Sequence, residues 1–481
     1  MVPTWQLRAA FAHRLSVMYG SEVPAYTTLL EVAGQVNDEV AARDPDAARL
    51  GSLDRVTAER HGAIRVGTPD ELRQAAQIFA ALGMRPVGCY DLRDGEGAVP
   101  VVSTAFRPTD GEELDRNPFR VFTSLLTTGD RRFFDPDLQA RVEAFLARRT
   151  LFPPELLTLA ERAEEAAGLP PAQAERFLTL AVAAFELSPE PVDRAWYTEL
   201  ERVSAVAADI GGVTATHINH LTPRVLDIDA LYRRMGERGI TMIDRIQGPP
   251  RWEGPDVLLR QTSFRALAER RTFREPDGGH TDGSLRVRFG EVEARGIALT
   301  RAGRARYDHL MAETDRRMAL DPDADRQETA RALWRRGFPA TEHQLAVEHQ
   351  AFFTYRPVTG RPRDGRCPPA DLAGLLRHGW LTAHPVVYED FLPRSAAGIF
   401  RSNLTEEGTR DAGRAGTPFD ARRLAEAIGR PVLDPFTLSA QQQERSLRQA
   451  LDTLRAGPAL QALDDGELIA PDPPPDPAPA L

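Results

Sequence analysis

Cysteine is scarce: two residues, Cys89 and Cys367, stand in unrelated surroundings among 481. Without a CxxC pair or a ladder of cysteines there is neither a disulfide scaffold nor a thiolate metal cluster, and the usage fits a reducing compartment. Long apolar runs are missing as well, so no segment reaches the about 20 residues that a bilayer-spanning helix needs. A positive excess is also absent, since 60 Lys and Arg against 70 Asp and Glu leave a formal charge of −10. That surface repels a phosphate backbone and argues against nucleic acid as a partner, although one buried arginine can still decide a pocket for a small anion. What remains is globular: 42% hydrophobic and 7% aromatic residues suffice for a sizeable core. Residues 1–21 carry Arg8 and Arg14 and no acid, as some transit peptides do. Yet Leu7, Phe11, Leu15 and Met18 recur at i, i+4, i+8 and i+11, the mark of a helix packing on a core. The helix is the reading adopted, and the protein is expected in the cytoplasm.

The N-terminal region reads as helical through Ala41. HGAIRVGT after Arg60 changes to strand texture. A helix follows from Pro69, with Thr68 as N-cap, acids in its first turn and Gly83 at its end. MRPVGCYDL and GAVPVVSTAFRP read as two more strands. These pieces form a βαββ module over about 55–125. Residues of about 134–200, with DLQARVEAFLARR and PPAQAERFLTLAVAAFEL, read as a helical insertion. A second module of similar layout spans about 205–302: a strand GGVTATHINHLTPR, a helix VLDIDALYRRMGERGI, and strand segments in ITMIDRIQGPP, VLLRQTSFRALAERR and SLRVRFGEVEARGIALT. A mixed part follows over about 303–465. The acidic, proline-rich end at 466–481 reads as a disordered tail. Residues 1–465 are therefore taken as a single catalytic domain of α+β class.

Most of the ten histidines need no special role. His61 differs, because on a strand it shares a face with Ala63 and Arg65. The Cα atoms of His61 and Arg65 are then roughly 13 Å apart, so a metal at one and an anion at the other suit the two ends of a short dicarboxylate. The competing reading is a strand-end histidine beside a surface ion pair. In THINHLTPR, His217 and His220 point to opposite strand faces, so one alone can enter a pocket; His217 shares its face with Asn219. Glu291 and Glu293 share a strand face with Phe289, and two carboxylates in a core need a cation or an arginine such as Arg295. Two histidines and one carboxylate leave three adjacent coordination positions, which suits Fe(2+) with a bidentate 2-oxo acid and O₂.

At EVPAYTTLLE, RHGAIRVGT, MRPVGCYDL, THINHLTPR, RFGEVEARGIALTRAGRARYD and VYEDFLPRSAAGIFRSNL the chain resembles the 2-oxoadipate dioxygenase/decarboxylase (hydroxyglutarate synthase) family of the vicinal-oxygen-chelate superfamily. The resemblance implies paired βαββ modules curling into an incomplete β-barrel around a metal, with a large helical insertion and helical additions. It implies iron(II) on His61, His217 and a glutamate of FGEVEARG. Glu291 is preferred to Glu293, since Phe289 and Arg295 stand two before it and four after it, as in related enzymes. It also implies substrate contacts from Arg65, Ser395 and the backbone at Arg394, with Asn219 as a further donor; an arginine at 394 departs from the small apolar residue expected there. The implied reaction takes 2-oxoadipate and O₂ to 2-hydroxyglutarate and CO₂, a step of lysine breakdown. Two rivals stand beside it: another dioxygenase of the superfamily acting on a different 2-oxo acid, and a non-catalytic protein that binds metal or a dicarboxylate. The oligomeric state is not legible.

Overall fold

The computed structural model describes residues 1–94, 97–286, 288–358, 368–392, 399, 402–403, 411, 413–414 and 416–456. Where the sequence reads as one domain over 1–465, the described residues gather into two compact units. The first comprises 1–249, 256–296 and 387–438, and the second 250–255, 297–386 and the segment from 439 onward.

The first unit opens with helices α1 (Thr4–Glu22) and α2 (Pro24–Arg43). Leu7, Phe11 and Leu15 of α1 are fully buried, as their helical spacing requires. Strand β1 (Arg60–Val66) then leads into α3 (Pro69–Ala81). At the head of α3 the Glu71 N–H donates to Thr68 Oγ1 (3.2 Å) while the Glu71 carboxylate accepts from the Thr68 N–H (3.2 Å). This reciprocal cap satisfies donors that the first turn leaves open. Gly83, with φ +72°, takes the left-handed conformation just past the other end. Thr68→Ala is expected to lower unfolding stability by about 1 kcal/mol, read as a lower urea midpoint at unchanged slope.

β2 (Arg85–Asp91), β3 (Val101–Arg107) and β4 (Arg120–Leu126) complete the first module, and β5 (His220–Pro223) joins it from the second. The strand order is β2-β3-β4-β1-β5, with β1 parallel to β4 and antiparallel to β5. The register lines side chains up in rows across one face. Arg120, His61 and Thr222 form one row; Ala105, Phe122, Ala63 and His220 form the next; Ser103, Ser124 and Arg65 follow. The other face carries Phe106, Val121 and Ile64, which pack under α3 and the helical insertion. There Phe79 meets Phe106 at 5.0 Å, and Phe185 meets Phe11 at 6.0 Å and Phe152 at 5.9 Å. Each buried phenylalanine contributes roughly 1.5–3 kcal/mol. The insertion is helical as expected, with α4 (Pro136–Leu146), α5 (Pro154–Glu165), α6 (Pro171–Ala183) and α7 (Arg194–Glu201).

The second module departs from its reading in two places. GGVTATHINHLTPR is a strand only from His220, because α8 (Ala205–Gly211) ends at its head and residues 212–219 run irregularly. ITMIDRIQGPP forms isolated bridges at Met242 and Gln247 instead of a strand. Helix α9 (Ile228–Glu237), capped by Asp227, is followed by β6 (Leu259–Ser263) and β7 (Glu291–Arg295), which pair antiparallel. A parallel bridge from Arg224 to Glu293 sets β7 beside the end of β5, so the sheet curls without closing into a barrel among the described residues. The second unit holds the helices Arg301–Leu320 and Arg326–Gly337 and the antiparallel pair Phe353–Pro357 and Leu381–Pro385. No helix among the described residues is long and apolar enough to cross a membrane.

Candidate metal centre

β1, β5 and β7 converge on the concave face. His61 and His220 sit diagonally across the β1–β5 ladder, because His220 lies opposite Ala63 and Thr222 opposite His61. Their rings meet edge to face at 5.4 Å. Glu291, first residue of β7, lies across from both: His61 Nε2 is 3.6 Å from one carboxylate oxygen and His220 Nε2 is 3.4 Å from the other. One ligand atom from each of the three lies within 4.8 Å of the others, and all three residues are buried. Phe391 covers the ring of His61 edge-on at 4.9 Å, and Phe289 stacks on His220 at 5.6 Å. Of the two acids left open by the sequence, it is Glu291 that joins the histidines.

The other ring nitrogens have polar neighbours as well. His220 Nδ1 lies 3.0 Å from Thr222 Oγ1, and His61 Nδ1 lies 3.2 Å from Glu293. Glu293 belongs to a buried ionic network. Arg295 donates to it (2.7 Å) and Arg120 Nη1 lies 3.5 Å away. Glu59 accepts from Arg120 (2.9 Å) and Arg224 (3.0 Å), and Glu389 accepts from Arg120 (2.6 Å) and is paired with Arg55. Glu59 continues the alternation of 61, 63 and 65, a signal the sequence did carry. Arg120, Arg224 and Glu389 come from other strands and loops and were not picked out.

The charges fit a cation. Burial, then the neighbouring His61 and Arg65, drive the His220 pKa well below the ordinary histidine value, so its imidazole is neutral and its lone pair available. Burial likewise raises Glu291, against the pull of His61. For His61 burial opposes protonation, but Glu293 and Glu291 outweigh it and the pKa rises. Burial also works to raise Glu293, yet Arg295, His61 and Arg120 leave it below the ordinary carboxylate value. A buried acid pressed toward its neutral form beside a neutral imidazole is relieved by a divalent ion placed among the three groups.

His217, expected as a metal ligand, lies outside this group of three. Three residues before His220, it lies on the irregular stretch ahead of β5 and meets Asp209, its Nε2 3.4 Å from the carboxylate and 3.2 Å from Asn219 Nδ2. Burial pushes its pKa down to about 4 against the pull of Asp209. The ladder puts His220 on the same side as His61. Asn219 donates to Asp209 (3.0 Å), and Arg65 forms a buried ion pair with the same carboxylate. Asp209 went unnoticed in the sequence because it belongs to α8, ahead of the strand read from Gly211. Asp209 and His217, with Arg271, Arg274 and His280, line a cavity of about 400 Å³. Arg394 and Ser395 lie outside the described residues.

The model of the 2-oxoadipate dioxygenase/decarboxylase family matches residues 11–403. The chain is 56% identical over 444 residues to the 2-oxoadipate dioxygenase/decarboxylase of Mycobacterium tuberculosis, covering 92% of this chain and 98% of that protein. The chain belongs to the 2-oxoadipate dioxygenase/decarboxylase family. Its identity to the Pseudomonas putida 2-oxoadipate dioxygenase/decarboxylase is 40% over 465 residues, 94% of this chain and 97% of that one. The crystal structure of hydroxyglutarate synthase from Pseudomonas putida in complex with 2-oxoadipate superposes with a TM-score of 0.79 at 38% identity, covering 95% of this chain and 99% of that one. The family match extends over the β1–β5 sheet, the helical insertion and β6 and β7.

Proposed function

We propose that this protein is an iron(II)-dependent dioxygenase that converts 2-oxoadipate and O₂ to 2-hydroxyglutarate and CO₂. The observation that carries the reading is the convergence of His61, His220 and Glu291 within 4.8 Å on a buried face, in a chain of this family. The relatives' names and the 2-oxoadipate complex of the Pseudomonas putida enzyme support the substrate. The equation balances without a further reductant, because one oxygen atom of O₂ enters the 2-oxo carbon, which becomes a carboxylate as CO₂ leaves, and the other becomes the hydroxyl of the product. Bound iron(II) would supply a Lewis-acidic point for the 2-oxo carboxylate and the electrons that O₂ takes up.

The protein's own part is to hold and to exclude. His61, His220 and Glu291 would hold the ion on the concave side of the sheet. Arg65, four residues along β1 from His61, has the charge and the forked donors to take the distal carboxylate. Asp209 now occupies that guanidinium, so substrate must share it or displace that contact. Phe391, Phe122 and Phe289 keep water from the reacting end, which strengthens each charged contact inside. Position 394, and with it the fine choice among 2-oxo acids, belongs to the same reading.

The test is oxygen uptake by anaerobically iron-loaded protein. Addition of 2-oxoadipate should consume O₂ and release CO₂ in equal amounts, with 2-hydroxyglutarate as product. Stoichiometric iron binding with no uptake across 2-oxo acids of increasing length would instead indicate a binding protein.

A further inference from the structure

Beyond the three groups facing the metal, the ring nitrogen of His61 that points away from it meets a carboxylate that has one free oxygen. His61 Nδ1 is 3.2 Å from Glu293 Oε2, while His61 Nε2 is turned toward Glu291. Both partners are fully buried, and neither that nitrogen nor that oxygen has a hydrogen-bond partner among the described residues, so each faces the other with its capacity unused. The second oxygen, Oε1, is held by Arg295 at 2.7 Å, and Arg295 is in turn 2.9 Å from Glu59. We propose that Glu293 is the positioning residue of the metal centre, taking the Nδ1–H of His61 so that Nε2 is left bare and aimed at the ion.

The alternation of β7 makes this possible. Glu291 and Glu293 point to the same face one pleat apart, so a single imidazole on the neighbouring strand can address both, one with each nitrogen. A histidine whose far nitrogen donates to a carboxylate is fixed in tautomer and in ring orientation and becomes a better ligand. Phe391 blocks rotation of the ring from its edge side. His220 has only the hydroxyl of Thr222 in the corresponding place, so the two histidines are unequal. The arginines around Glu293 leave it no cheap alternative position, because each is already committed to Glu59 or Glu389. The sequence left Glu293 as an alternative ligand; the structure gives it a different task.

This inference rests on the metal-site reading, and the experiment separates the two. Glu293→Gln and Glu59→Gln are purified metal-free and titrated with Co(II) against a competing chelator, alongside the unaltered protein. Glu293→Gln is expected to weaken Co(II) affinity by roughly 10–100-fold. Glu59→Gln, which disturbs the same buried network without touching His61, is expected to lower unfolding stability and keep affinity within about threefold. In the Co(II)-loaded unaltered protein a slowly exchanging, strongly shifted imidazole N–H proton should appear for His61 and vanish in Glu293→Gln. Equal affinity of Glu293→Gln and the unaltered protein overturns the inference, as does an equal loss in both variants. If the unaltered protein binds no metal, the metal reading itself fails. The proton is then sought on His61 Nδ1 in metal-free protein with a neutral imidazole; finding it on Nε2 overturns the positioning role.

Discussion

His220→Ala is expected to strip the metal and to reduce oxygen uptake by at least about a thousandfold, while His217→Ala keeps the metal. A thousandfold corresponds to roughly 4 kcal/mol of barrier at about 1.4 kcal/mol per decade. The reason is placement: His220 Nε2 is 3.4 Å from Glu291 and beside His61, whereas His217 turns to Asp209 and Asn219. Loss of one of three ligands should exceed the 10–100-fold in affinity that removing an outer partner costs. His61→Ala and Glu291→Ala should behave as His220→Ala does. His217→Ala removes an imidazole from beside Asp209 but leaves that carboxylate Arg65 and Asn219, so its effect should fall on substrate use. Metal content after dialysis, read together with oxygen uptake, decides the matter. Metal lost from His217→Ala and retained by His220→Ala would reverse the assignment.

That pair of histidines shows where sequence reasoning runs out. Helix α3 was legible to its ends, since Thr68, Glu71 and Gly83 act within one turn of where they stand. So was the shared face of His61, Ala63 and Arg65, which depends only on the alternation of a strand. The helical insertion announced itself by composition. Choosing His220 over His217 needs the cross-strand register, which pairs His220 with Ala63 through a contact 157 residues distant in sequence. The strand expected from Gly211 onward starts only at His220, so parity counted back to His217 carried no information. Glu291 and Glu293 share one face, and the strand itself does not rank them. The ranking comes from Arg295, Arg120 and Glu59, brought together from β7, β4 and the approach to β1. Asp209 was hidden for a related reason: a carboxylate is unremarked until the guanidinium that it meets is known.

Arg65→Ala should leave the metal in place and raise the KM for 2-oxoadipate by about 10–150-fold, the worth of one charge-assisted contact of roughly 1.5–3 kcal/mol. Arg65 is the buried cation one row beyond Ala63, beside Ser124, too far along β1 to act as a ligand and well placed for the far end of a diacid. Its removal strands Asp209, a buried carboxylate, and breaking such a pair costs about 3–5 kcal/mol of stability. The double variant Arg65→Ala with Asp209→Asn therefore matters: it should recover most of the stability and none of the KM. Arg65→Lys restores the charge without the forked geometry and should fall between the two. A substrate lacking the distal carboxylate supplies the internal control. With 2-oxohexanoate the unaltered protein should lose the advantage that Arg65 gives it, and Arg65→Ala should turn over that acid about as well as the unaltered protein does. If Arg65→Ala instead lost the metal, or discriminated between the two acids as sharply as before, the guanidinium would not be the anchor of the second carboxylate. The choice of a dicarboxylate over a simple 2-oxo acid would then have to come from elsewhere in the pocket.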